Sequence, residues 1–261
     1  MKSIFKFFLN KIPRQTLIRL SYILKPGLAL FYRGKKYHDP IDGKSYRSFL
    51  PYGYETQRKN VLAPGTLSLE RHRLLWLYLK NETTFFTAPL KVLHFAPEQA
   101  FYKRFKNLKN LDYTTTDLNS PLADVKADIC NLPFENNSFD FILCNHVLEH
   151  IPDDQKAMQE LYRILKPGGI GIFQIPQDIA KAKTFEDDTI TDAKERAKIF
   201  GQYDHVRVYG RDYFDKLRAV GFKVEEADYT KNFSERENDF YRLAKGEIIP
   251  VCRKIKWKHP F

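Results

Sequence analysis

Several polar side chains in this sequence stand at or just after the ends of predicted strands. Asp117 lies at the end of the predicted strand 111–118, and the pair Asn145 and His146 follows the apolar run 139–144. In an open α/β sheet, ligands bind at the carboxyl ends of the strands, which is where these side chains are expected. Asp117 also stands roughly 20 residues after the first predicted strand-to-helix turn, where a carboxylate can accept hydrogen bonds from both hydroxyls of a ribose. The sequence therefore predicts a nucleotide-type ligand at this edge of a sheet.

His205 is a second candidate for chemistry, because it follows a polar, lid-like insertion at 177–205. A histidine in that place can accept a proton from a bound substrate. From the residues alone, a buried histidine that ties the insertion to the sheet is an equally good interpretation. Arg207 follows two residues later and could face an anionic substrate.

The elements that must position these side chains alternate between strand and helix. Apolar runs at 91–96, 139–144 and 170–175 predict buried strands. Asp153 is a good N-cap for an amphipathic helix that ends before the sequence Lys-Pro-Gly-Gly at 166–169. A strand, a helix and a strand of these lengths form one right-handed parallel unit. The fold class is therefore α/β.

The charge of the chain is concentrated in its N-terminal arm. The net charge is +11 over 261 residues, and residues 1–47 hold eleven Lys and Arg against two Asp, which leaves +9 there and +2 elsewhere. Such an arm suggests contact with an anionic surface. A nucleic-acid partner is disfavoured, because no RNA-binding motif accompanies the charge.

The arm, residues 1–36, shows two amphipathic helical patterns. The first precedes Pro13, and the second precedes the sequence Lys-Pro-Gly at 25–27, where it is expected to stop. Two interpretations remain open: the helices pack on the rest of the protein, or they make a peripheral contact with anionic lipid.

Cysteine usage and hydropathy bear on the compartment. The three cysteines are scattered and odd in number, which favours a reducing environment. No apolar run approaches the roughly 18–20 residues of a membrane span, and the first residues lack the features of a signal peptide. We therefore expect a cytoplasmic protein, at the inner face of the membrane if the arm binds lipid.

An ordered set of motifs in this sequence resembles class I S-adenosylmethionine-dependent methyltransferases that act on small molecules. The motifs are Asp117, Asp128-Ile129, Leu132-Pro133-Phe134, Ser138-Phe139-Asp140, Leu148-Glu149-His150 and Leu165-Lys166-Pro167-Gly168-Gly169. The resemblance covers about residues 91–256. It implies a Rossmann-like, seven-stranded, mostly parallel sheet with helices on both faces, and S-adenosylmethionine as the cofactor.

The same resemblance implies which residues contact the cofactor. They are His94, Phe95, Ala96, Pro97, Glu98, Asp117, Leu118, Asp128, Ile129, Asn145 and His146. Asp117 would hold the ribose, Asp128 and Ile129 the adenine, and Asn145 and His146 the methionine part. The first turn departs from the family pattern, because His94 takes the acidic position and Ala96, Glu98 and Ala100 take the glycine positions. Glu98 could supply the missing carboxylate.

A narrower resemblance, to a bacterial methyltransferase subgroup with a cysteine-rich zinc knuckle, covers the front of the chain. The corresponding turns here, 39–43 and 63–66, contain no cysteine, so we predict turns without a metal. The predicted organisation is an arm at 1–36, a metal-free loop-rich knuckle and helix at 37–80, and a methyltransferase domain at 81–261.

The expected activity is an in-line methyl transfer to a small or lipid-linked, anionic acceptor. His205 is the expected base, and Arg207 is expected to act beside it. The alternative is a non-catalytic binding or scaffold protein on the same fold.

Overall fold

The computed structural model describes residues 14–53 and 57–256, and the chain divides into two compact units. The first comprises residues 1–86, 98–104 and 229–247, and the second comprises residues 87–97, 105–228 and 248–261. The sequence instead placed a boundary at 80 and a continuous domain after it. One reason for the difference is Arg73, whose guanidinium donates to the carbonyls of Tyr241 and Arg242 and so joins 229–247 to the N-terminal part.

Seven α-helices and thirteen strands are defined in the described ranges. The helices are α1 Arg14–Phe31, α2 Glu70–Glu82, α3 Tyr102–Lys106, α4 Asp154–Ile164, α5 Ala193–Phe200, α6 Tyr213–Val220 and α7 Glu235–Tyr241. The strands are β1 Arg33–Asp39, β2 Lys44–Tyr46, β3 Leu50–Tyr52, β4 Arg58–Leu62, β5 Leu90–Phe95, β6 Leu111–Asp117, β7 Val125–Lys126, β8 Phe139–Cys144, β9 Leu165–Ile172, β10 Phe185–Glu186, β11 Arg207–Val208, β12 Lys223–Ala227 and β13 Ile249–Arg253. Two 3₁₀ turns, Leu148–His150 and Tyr229–Asn232, complete the list.

Helix α1 corrects the prediction that the arm stops at 25–27. It passes through Pro26 and ends at Phe31. A proline inside a helix costs about 3 kcal/mol, so the last turn needs compensation from packing. Ala29 and Tyr32 supply it, because they pack against the cluster of Tyr37, Tyr46, Phe49 and Ala63. The first predicted helix, before Pro13, lies outside the described residues.

A buried carboxylate joins two turns of the first unit, which lie at 40–43 and 64–66. Asp39 has no exposed surface, and its oxygens accept hydrogen bonds from Ile41 N (3.0 Å), Thr66 Oγ1 (2.5 Å) and Ser68 Oγ (3.2 Å). Arg73 bonds the carbonyl of Ser68 at 2.8 Å and attracts the carboxylate electrostatically. Side-chain hydrogen bonds therefore hold these turns together.

The second unit is built on one seven-stranded sheet, as predicted. Its strand order is β12-β13-β9-β8-β5-β6-β7. The five strands from β9 to β7 are parallel, whereas β13 runs antiparallel to both of its neighbours. The predicted strands at 91–96, 111–118 and 139–144 are confirmed within one residue at either end.

Helix α4 shows how local sequence sets these elements. The Asp153 carboxylate accepts from Lys156 N at 2.8 Å and caps the helix, as predicted. Met158, Leu161 and Ile164 recur at helical spacing and are buried in the sheet's core. The following strand begins at Leu165 rather than near 170, because Leu165 already pairs with Phe139 of β8.

Two further facts concern the described residues. Cys130, Cys144 and Cys252 are free thiols. None of the helices in 14–53 and 57–256 has the length and apolar character needed to cross a bilayer.

We expect Asp39→Ala to lower the free energy of unfolding by about 3 kcal/mol, because it leaves the buried hydroxyls of Thr66 and Ser68 without their acceptor and the buried Arg73 without a nearby opposite charge. Urea denaturation followed by circular dichroism measures this. Asp215→Ala, whose side chain is 73% exposed, is the control and should shift stability by less than about 0.5 kcal/mol. Equal effects of the two substitutions would contradict this role of Asp39.

Candidate functional site

The carboxyl ends of three parallel strands meet at one edge of the sheet. Phe95, the last residue of β5, lies opposite Thr116 of β6 on one side and Cys144 of β8 on the other. The residues that follow these strand ends therefore share one edge, as the sequence predicted. These residues are Ala96 and Pro97, Asp117 and Leu118, and Asn145 and His146.

Asp117 uses one carboxylate oxygen to shape its own turn. Its Oδ1 accepts from Asn119 N at 2.7 Å and from Ser120 N at 2.6 Å. The structure gives Oδ2 no hydrogen bond from any described residue, so this oxygen can accept bonds from a ligand hydroxyl. The next side chain, Leu118, is apolar yet 62% exposed, which suits a residue that a flat apolar ligand surface covers.

Asp128 and Ile129 follow the short strand β7, which pairs with the end of β6 through Asp117 and Lys126. This pairing places them on the Asp117 side of the strand edge. Asp128 accepts from Cys130 N at 2.9 Å and is exposed, while Ile129 is buried.

The first turn keeps a glycine-like backbone without a glycine. Ala96 has φ +45°, in the left-handed region that glycine adopts most readily. Its N–H donates to Thr116 O at 2.9 Å. An alanine therefore stands where the backbone conformation favours glycine.

His94 and Glu98 are placed differently from the rest of the expected set. The His94 ring is fully buried and its Nδ1 lies 2.7 Å from Tyr113 Oη, so the ring packs within the sheet layer instead of standing at the open edge. Glu98 belongs to the first unit. Its role toward a cofactor stays a prediction.

The polar residues after β8 and β9 are bonded to each other. Asn145 is 3% exposed and its Oδ1 accepts from Gln174 N at 3.4 Å, while His146 N donates to Gln174 O at 2.7 Å. His146 itself has φ +54°. Sequence reasoning missed Gln174, and the signal was a polar residue within the predicted strand 170–175.

Three buried polar atoms near the strand ends lack a hydrogen-bond partner among the described residues. They are Thr116 Oγ1, His146 Nε2 and Gln174 Nε2. Burying a polar group without a hydrogen bond costs free energy, so such atoms in one region mark a place for a polar ligand.

A second cluster surrounds the carboxylate of Glu149, in the turn Leu148–His150. Val206 N donates to Glu149 O at 3.0 Å, which brings His205 next to the turn. His205 Nδ1 lies 3.1 Å from Phe200 O, and its Nε2 lies 4.0 Å from Glu149 Oε1. The rings of His150 and His205 stand 4.7 Å apart. Candidate metal-ligand atoms of Glu149, His150 and His205 all lie within 4.8 Å of one another.

His205 is 8% exposed, and this burial lowers the pKa of its ring, although nearby Glu149 acts in the opposite direction. The ring is therefore neutral at neutral pH. With Nδ1–H donated to Phe200 O, the lone pair is on Nε2.

Arg207 is buried and bonded to the turn that carries Glu149. It is 4% exposed, and its guanidinium donates to the carbonyls of Leu148, Ile151 and Pro152 and to Glu186 Oε2, the last at 2.8 Å. This arrangement fastens β11 to the turn that carries Glu149. Few N–H donors of the guanidinium are therefore left to bind a substrate.

The comparison with protein families agrees with this geometry. A family model described as a methyltransferase domain matches residues 91–173, from the beginning of β5 to just beyond β9. The match indicates a methyltransferase domain of the class I, S-adenosylmethionine-dependent type within residues 91–173. The cofactor that this match implies is S-adenosylmethionine.

Curated methyltransferases are similar over part of their length. A demethylmenaquinone methyltransferase from Staphylococcus epidermidis is 46% identical over 46 residues, which are 18% of this chain and 19% of that protein. A sterol 24-C-methyltransferase from Schizosaccharomyces pombe is 27% identical over 136 residues, or 50% of this chain and 34% of that protein. The chain thus spans well under two thirds of these relatives.

Among solved structures, that of the [4+2]-cyclase SpnF is similar in fold. It has a TM-score of 0.50 and 14% sequence identity, and the match covers 84% of this chain and 92% of that one. At this identity the likeness concerns the fold alone.

We expect Asp117→Asn to weaken the binding of S-adenosylhomocysteine at least tenfold. Asparagine still accepts the two turn hydrogen bonds but replaces the second oxygen with an amide nitrogen that cannot accept a ribose hydroxyl. Isothermal titration measures the affinity. Asp112→Asn, at the opposite end of β6, is the matched control and should bind like the unchanged chain. Equal affinities of both variants would remove Asp117 from the site.

Proposed function

We propose that this chain transfers the methyl group of S-adenosylmethionine to a small or lipid-linked, anionic acceptor. The observation that carries the proposal is the group of unpaired buried atoms, Thr116 Oγ1, His146 Nε2 and Gln174 Nε2, near strand ends that also present Asp117. Methyl transfer is an in-line displacement, so the protein acts mainly by aligning acceptor, methyl group and sulfur while excluding water.

On the cofactor side, we assign each part to the residues nearest in the fold. Asp117 Oδ2 accepts from the ribose, and Leu118 and Ile129 contact the adenine while Asp128 accepts a hydrogen bond from it. The turn that follows Phe95, at Ala96 and Pro97, faces the methionine part from one strand end. Asn145 and His146 face it from the neighbouring strand end.

On the acceptor side, we assign His205 to contact the reacting atom through its Nε2 lone pair. The bond from Nδ1–H to Phe200 O fixes the ring so that Nε2 points toward Glu149. Arg207 is assigned a positioning role, because its donors are bonded to the turn at Leu148–His150 and just beyond it.

A membrane surface is the partner we propose for the arm, within residues 1–36. The described part of α1 exposes one apolar stripe, which consists of Leu20, Ile23, Leu24, Leu30 and Phe31. The spacing of these residues puts them on one face of the helix. The exposed cations Arg33, Lys35 and Lys36 follow directly. An apolar face beside a basic segment complements anionic phospholipid, and a lipid-linked acceptor would be reached there.

The alternative function, a non-catalytic binding protein on this fold, is favoured by one observation. The first turn contains no glycine, and His94, at the position where the family has an acidic residue, is buried against Tyr113. Transfer of label from the cofactor separates the two functions.

We expect the chain to move radioactive methyl groups from S-adenosylmethionine into the small-molecule or lipid fraction of a bacterial extract. His205→Asn should lower the rate about a hundredfold, because it keeps a donor for Phe200 O but removes Nε2. Its affinity for S-adenosylhomocysteine should not change. Cofactor binding without any transfer into either fraction would favour the non-catalytic alternative.

We expect the chain to sediment with phosphatidylglycerol vesicles and to remain in solution with phosphatidylcholine vesicles. Ile23→Glu combined with Leu30→Glu should abolish sedimentation, because the apolar stripe becomes charged. Ile179→Glu changes an apolar side chain of similar exposure, 63%, outside the arm and should have no effect. Sedimentation that survives the double substitution would contradict contact through α1.

A further inference from the structure

The buried carboxylate of Glu149 lacks the hydrogen bonds that a buried charge requires. The residue is 1% exposed, and its Oε2 has no hydrogen-bond partner among the described residues. The groups near its Oε1 are imidazole nitrogens, His146 Nδ1 at 3.4 Å and His205 Nε2 at 4.0 Å. Buried charges in proteins are paired or coordinate a metal ion, because an uncompensated one is very costly.

Two histidines beside this carboxylate each have Nδ1 next to a main-chain carbonyl. His205 Nδ1 lies 3.1 Å from Phe200 O, and His150 Nδ1 lies 3.3 Å from Asp204 O and 3.4 Å from Asp204 Oδ2. When each Nδ1 carries the hydrogen, each Nε2 presents its lone pair. Metal-ligating histidines are typically oriented in this way, by a hydrogen bond from the other ring nitrogen to a carbonyl.

We infer that Glu149, His150 and His205 bind a divalent transition-metal ion, of which zinc fits best. Two imidazoles and one carboxylate are the protein ligands of one common type of catalytic zinc site, in which a fourth position stays open. Magnesium and calcium prefer sites built entirely from oxygen ligands, so two imidazoles disfavour them.

The three candidate ligand atoms would have to move only slightly closer together to bind a metal ion. The three ligand atoms lie within 4.8 Å of one another, whereas a tetrahedral zinc ion with bonds of about 2.0–2.1 Å holds its ligand atoms roughly 3.4 Å apart. The side chain of His150 is 27% exposed, which gives it the most freedom to move inward. Glu149 and His205 are anchored through Val206 N and Phe200 O.

The zinc site would add a metal ion to the proposed reaction. Zinc binding itself does not depend on the proposed function, whereas a role of the ion in catalysis rests on it. A metal ion here would bind an oxygen or nitrogen of the acceptor through the open position. Because the ion would take the Nε2 lone pair of His205, it would replace the direct contact between His205 and the reacting atom. The alternative is that the carboxylate and the histidines share a proton in place of a metal ion. In that case the chain would take up no metal.

Zinc chloride titrated into the chelator-treated full chain tests the site directly. We expect one ion per chain with a Kd in the micromolar range or below. Cobalt(II) taken up instead should show visible absorption of nitrogen and oxygen ligation without a thiolate band. Glu149→Gln, His150→Asn and His205→Asn should each weaken zinc binding at least tenfold, because each removes one ligand atom.

His38→Asn is the matched control, since His38 is also half-buried with its Nδ1 bonded to a side-chain oxygen, Ser45 Oγ at 3.0 Å. It should bind zinc like the unchanged chain.

S-adenosylhomocysteine affinity reports whether each variant is folded. Absence of zinc uptake, or uptake undiminished in folded variants, would overturn the inference. Methyl transfer that persists without metal would leave the proposed function intact, and metal binding without any transfer would remove that function alone.

Discussion

The parallel pairing of β5 with β6 on one side and β8 on the other is the constraint on which the cofactor site depends. Parallel hydrogen bonding in register brings Phe95, Thr116 and Cys144 to the same level. Every residue that follows them must then leave the sheet at one edge. That edge is polar because a carboxylate, an amide or a tight turn stands where each strand ends.

The sheet and its ligand edge were predictable because they depend on local signals. Runs such as Phe139–Cys144 are long enough to identify a buried strand, and Asp153 marks a helix start through its own side chain. The strand ends near Asp117 and Asn145 follow from the same runs. By contrast, the stop expected at Pro26 was wrong, because packing of Ala29 and Tyr32 offsets the penalty of the proline.

The remaining features depend on contacts between residues far apart in the chain. Arg207 looked available for a substrate, but three carbonyls from the turn near Glu149 occupy it. The partnership of Asp39 with Thr66 spans 27 positions. Gln174 becomes part of the ligand edge only through its bonds with Asn145 and His146. No pattern within a short window carries such information.

The way Arg207 is bonded has a consequence for how this site can change. Its guanidinium binds carbonyl oxygens of Leu148, Ile151 and Pro152, which belong to the main chain and exist whatever side chain stands there. Hydrogen bonds from Arg207, which is far away in the sequence, therefore fix the backbone of the turn, whatever side chains the turn carries. Glu149 and His150 lie between the anchored carbonyls, so their chemistry can be exchanged while the backbone that presents them stays in place. The backbone of such a turn keeps its position while the reactive side chains that it carries can differ.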